Sequence, residues 1–68
     1  MKYVAERGNY YQNKLVKEGY SLVAPKSGCL KNISEAEYNA RKYKDAYIIG
    51  HSYYGKSTGY VVYAKKGE

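Results

Sequence analysis

Residues 46–65 read AYIIGHSYYGKSTGYVVYAK. Ala46 to Tyr54 and Tyr60 to Lys65 are each rich in β-branched and aromatic residues, and both suit a pleated, half-buried surface. Between them lies GKSTG, residues 55–59, with glycine at both ends. Two apolar runs divided by a short glycine-bearing segment predict a β-hairpin, here with a five-residue loop.

The same hairpin holds two motifs. Gly50 to Ser57, GHSYYGKS, fits the phosphate-loop pattern G-x-x-x-x-G-K-[ST], in which Lys56 would reach phosphate and Ser57 magnesium. Such a loop must lead into a helix whose N-terminus holds the phosphates. The 11 residues after Ser57, TGYVVYAKKGE, read as strand, and their one carboxylate is the terminal Glu68. Strand is therefore expected here, and nucleotide hydrolysis is not. Lys56 to Tyr63, KSTGYVVY, resembles the aromatic strand motif of RNA-recognition-motif domains at Lys56, Gly59, Tyr60, Val61 and Tyr63. That family needs a further helix and strand after the motif, so the resemblance does not extend to membership. What it implies is local: aromatics of this strand stacking on bases. Tyr60 and Val62 would face one side and Val61 and Tyr63 the other. One of these pairs is expected to face solvent beside Lys56 and Lys65.

Upstream of the hairpin, Ser34 and Glu37 make the S-x-x-E pattern of a capping box. Ile33, Ala36, Ala40, Tyr43 and Tyr47 follow at helical spacing, opposite Glu35, Asn39, Arg41 and Lys42. Lys26 to Ile33 reads as loop, and Pro25 ends a strand spanning Tyr20 to Ala24. Before it, Tyr10 to Glu18 reads as a short helix with Asn9 as N-cap, Gly19 as C-terminal glycine and Tyr20 packing back on the last turn. Reading Tyr11 to Ala24 as a strand pair about Glu18-Gly19 is the alternative. Lys2 to Glu6, KYVAE, alternates as a first strand. The expected fold is one α+β domain over residues 1–68 in β-α-β-α-β-β order. Its sheet is mainly antiparallel, of three or four strands, with one or two helices on one face.

Composition narrows the function. The 68 residues hold 12 Lys and Arg against six Asp and Glu, for a net charge of +6. Phe and Trp are absent, Val, Leu and Ile number 11 together, and Tyr alone numbers 11. A chain this short buries about 60% of its unfolded surface, so the tyrosines must complete the core and also spill onto the surface. Cys29 and His51 stand alone, which disfavours a disulfide, a zinc site or thiol catalysis. A free thiol, the lack of an apolar leader and the lack of a membrane-length apolar run point to a cytoplasmic, non-membrane protein.

No catalytic, metal-ligating or cofactor-binding constellation stands out, so a non-enzymatic binding module is expected. Basic residues beside exposed aromatics suit phosphates and bases. The expected contacts are Tyr38, Arg41 and Lys42 on the second helix, and Lys56, Tyr60, Tyr63 and Lys65 on the hairpin. The partner would be nucleic acid or a nucleic-acid-handling complex. The alternative is a protein-binding inhibitor of host machinery, similar in size and style to phage or mobile-element products such as anti-CRISPR proteins. A homodimer through an exposed last strand is a third reading.

Overall fold

The computed structural model describes residues 2–53 and 56–65, with 52, 53 and 56–58 described by backbone alone. Its elements are β1 (Lys2–Glu6), α1 (Tyr10–Lys17), β2 (Ser21–Ala24), α2 (Ile33–Ala40), β3 (Ala46–Tyr53) and β4 (Lys56–Ala64). The strands form one four-stranded mixed sheet in the order β1-β3-β4-β2. β1 runs parallel to β3, while β3–β4 and β4–β2 are antiparallel. The α+β class and the element order are those the sequence predicts.

Three expectations change. The hairpin segment read as loop is largely strand: β4 begins at Lys56, and Ser52 pairs with Ser57 and Tyr53 with Lys56. Tyr54, predicted to end the first strand, and Gly55, predicted to open the loop, lie outside the described residues. β4, expected as an exposed last strand, is an inner strand between β3 and β2, which pairs with it from Val62 to Ala64, so the sheet's edges are β1 and β2. Thirdly, the helices cover opposite faces, as the pairing register shows.

On one face lie the rows Ala46–Ala64, Tyr3–Ile48–Val62–Ala24 and Ala5–Gly50–Tyr60. α2 packs here, burying Ala36 and Ala40 against Ala24, Ala46, Ile48, Val62 and Ala64. Five small side chains let helix and sheet approach closely, and Val23, Leu30, Tyr43 and Tyr60 fill the margins. On the other face lie Lys2–Tyr47–Tyr63–Leu22 and Val4–Ile49–Val61. α1 packs here through Leu15, 1% exposed, onto Ile49, Val61, Tyr20 and Tyr63. With a helix on each side, Val61, Val62, Tyr63 and Ala64 are all buried, so neither side of β4 opens to solvent there. A central strand covered on both faces reads as a continuous apolar run, which is what YVVYA is.

The helix ends also differ from the sequence pattern. α2 starts at Ile33 with Asn32 as N-cap, placing Ser34 inside the first turn, so the capping box does not form. Asn32 instead donates to Glu35 Oε1 at 3.3 Å. α2 stops at Ala40, where the amides of Lys42 and Tyr43 bond back to Asn39 and Ala40. The chain must then turn to enter β3. Tyr47, at helical spacing from Tyr43, is a β3 residue on the far face, because pairing to strands on both sides outweighs continuation of the helix.

α1 starts after Asn9, but its free amides are met by Glu6, whose carboxylate accepts from Tyr11 N at 2.7 Å and Gln12 N at 3.2 Å. Its end follows the sequence reading. Gly19 takes φ +101, its N–H donates to Val16 O, and Tyr20 N–H donates to Leu15 O, the double bond of a Schellman motif. The strand-pair alternative for residues 11–24 is thereby replaced by helix and strand.

Candidate nucleic-acid interface

The residues expected to bind are divided by the fold. Tyr38 is 61% exposed on the outer side of α2, with Lys42 Nζ 5.0 Å from its ring centroid and exposed Arg41 at the helix end. Tyr60 lies on the α2 face, half-buried, tilted against exposed Tyr3 with centroids 6.2 Å apart. Tyr3 also lies across Gly50, where a Cβ would collide with its hydroxyl. Tyr63 is on the opposite face, 9% exposed, its hydroxyl donating to Gln12 Oε1 at 2.9 Å. Burial raises its pKa, with the Glu6 charge adding to the effect. Tyr63 is thus a core residue, and its ring has no face open to a base. The Lys56 side chain lies outside the described residues.

Lys65 belongs to a larger arrangement on the α1 face. Its Nζ sits 5.1 Å from the centroid of Tyr20. The Tyr20 ring stands edge-on to Tyr47 at 5.2 Å, and Tyr47 lies 5.8 Å from Tyr11. Lys2 Nζ is 5.5 Å from the Tyr47 ring and Lys14 Nζ is 5.4 Å from the Tyr11 ring. Three rings linked in a chain through Tyr47 therefore each carry an ammonium group at cation–π distance. The chain is anchored at one end by Tyr20, whose hydroxyl donates to Asp45 Oδ2 at 2.6 Å. That bond, with burial and the Asp45 charge behind it, raises the Tyr20 pKa well above the usual phenol range.

From Lys14 the band continues along α1. Tyr10, Asn13, Lys14 and Lys17 line a shallow groove, and Tyr10 is the most exposed large hydrophobic side chain described, at 75%. Their spacing of three, one and three residues sets them on one stripe of the helix. The opposite side of α1 holds Leu15 in the core, so the stripe must face outward. Deeper on the same face, Gln12 Nε2 lies 2.6 Å from His51 Nε2, which links α1 to β3. His51 is half-buried and is a connecting residue of this face.

Tyr10, Asn13, Lys14 and Lys17 have the i, i+3, i+4, i+7 pattern, so this stripe is legible from sequence once α1 is assigned. Lys2 comes from β1, Tyr47 from β3 and Tyr20 from the segment between α1 and β2, and only the tertiary fold brings them together. Among the described residues no group of three or more His, Cys, Asp or Glu side chains is placed to hold a metal ion, and no helix is long and apolar enough to cross a membrane. No family model, curated protein or solved structure matches this chain.

Proposed function

We propose that the protein is a binding module for nucleic acid and that the α1 face makes the contact. The observation that supports this most is the continuous basic and aromatic band. Lys17, Lys14, Lys2 and Lys65 are strung along Tyr10, Tyr11, Tyr47 and Tyr20, so positive charge and ring surface share one face. Of the carboxylates near this band, Glu6 is engaged by the amides of α1 and Asp45 by the Tyr20 hydroxyl, while Glu18, exposed at the end of α1, leaves one negative charge near Tyr20. Lysines placed this way neutralise phosphates and release counterions, which makes affinity fall steeply with salt.

Fluorescence anisotropy with labelled DNA and RNA, titrated across a range of salt, tests the reading. Binding is expected at low salt, with a linear loss of log affinity against log salt. Each of Lys14→Ala and Lys17→Ala should weaken binding to a single strand and lower the slope by about 0.7 per phosphate contact removed. No binding at low salt sinks the proposal and turns the search toward a protein partner.

A further inference from the structure

We infer that the α1 groove seats one unpaired base together with its phosphate, so that the protein prefers single-stranded to duplex nucleic acid. This rests on the nucleic-acid reading above and specifies its ligand. The groove combines three chemistries within two helical turns. Tyr10 offers a ring that no other ring or cation covers among the described contacts, in contrast to Tyr11, Tyr20 and Tyr47, each engaged by a ring and an ammonium group. Asn13 offers an amide with both donor and acceptor, the complement of a base edge. Lys14 and Lys17 offer ammonium groups about one and two helical turns beyond Tyr10.

Stacking decides between strand types. In a duplex each base face is closed by its neighbours, so an outward-pointing ring on a helix has no base to stack on. Duplex contact would then use the lysines alone and leave Tyr10 idle. An unpaired base presents its face and its pairing edge together, and one stacked base contributes enough to shift affinity several-fold to a hundredfold, roughly. Successive phosphates of that strand can then run past Lys14 toward Lys2, across the rings of Tyr11 and Tyr47.

The test is anisotropy with labelled oligothymidine, and with the duplex it forms with oligoadenosine, at one low salt concentration. The single strand is expected to bind roughly tenfold tighter. Tyr10→Ala should lose roughly that factor for the single strand and leave the duplex unchanged, while Tyr10→Phe keeps the preference. Far-UV circular dichroism of each variant checks the fold, which an exposed Tyr10 should not disturb. Equal, salt-sensitive affinity for both probes overturns this inference and leaves the nucleic-acid reading standing. A preference that disappears in Tyr38→Ala and survives in Tyr10→Ala also overturns it. Binding to neither probe overturns both.

Discussion

The Glu6 carboxylate, at the end of β1, accepts from the backbone amides of Tyr11 and Gln12 and so ties the first strand to the first helix. A carboxylate there also meets the positive end of the helix dipole. Glu6→Ala leaves those amides to water and should cost about 1 kcal/mol, read as a lower urea midpoint. An unchanged midpoint would mean that the bond adds nothing. Tyr20 and Tyr63 make a second residue-scale prediction, because both pKa values are raised, Tyr20 chiefly by its bond to Asp45 and Tyr63 chiefly by burial. Below pH ~10 both phenols are protonated folded or unfolded, and their contribution is whole. Above it the unfolded chain releases protons that the folded state retains, so stability falls as pH rises. Urea midpoints taken from neutral pH into the alkaline range should drop, and Tyr20→Phe should drop less. Parallel curves for the two proteins would refute the coupling.

At the scale of elements, α1 is the informative one. Leu15 is its one fully buried side chain, while the neighbouring Val16 is 55% exposed. Leu15→Ala should cost about 2–5 kcal/mol, and Val16→Ala no more than about 0.5 kcal/mol, in urea unfolding followed by circular dichroism. Similar losses at the two sites would mean that α1 is not seated as described. Gly19 closes the same helix at positive φ, which an L side chain adopts at a cost of about 1–2 kcal/mol, so Gly19→Ala should fall in that range. α2 is held differently, by Ala36 and Ala40 on Ile48, Val62 and three alanines of the sheet, and its outer side carries Tyr38, Arg41 and Lys42.

Across the whole molecule, the two helices give the sheet two unlike faces. The α2 face is packed with small residues, with Tyr3 and Tyr60 at its margin; the α1 face holds the ring chain and its lysines. Charge reversal separates the faces as binding surfaces. Lys2→Glu with Lys14→Glu should abolish oligonucleotide binding in anisotropy, whereas Arg41→Glu with Lys42→Glu should only weaken it through the net field. Loss of binding from the α2 pair alone would move the interface to the other face.

The α+β class, the element order and the C-terminal motif of α1 follow from local chemistry: glycine where φ must be positive, apolar alternation in KYVAE, and alanines at i and i+4 in α2. Such features act within a few residues, and a single sequence displays them. The face on which each tyrosine lies could not be read in the same way. Strand alternation sets Tyr60 and Tyr63 on opposite sides, but not which cover each meets: Tyr60 packs beside Tyr3 and Tyr63 beneath α1. YVVYA is apolar at every position, so its alternation carries no mark of which side is covered. That was decided when β4 was enclosed between β2 and β3 with a helix on each side. The ring chain depended on the same event, because Lys2, Tyr20, Tyr47 and Lys65 are distant in sequence and meet only through the tertiary fold of strands β1 to β4.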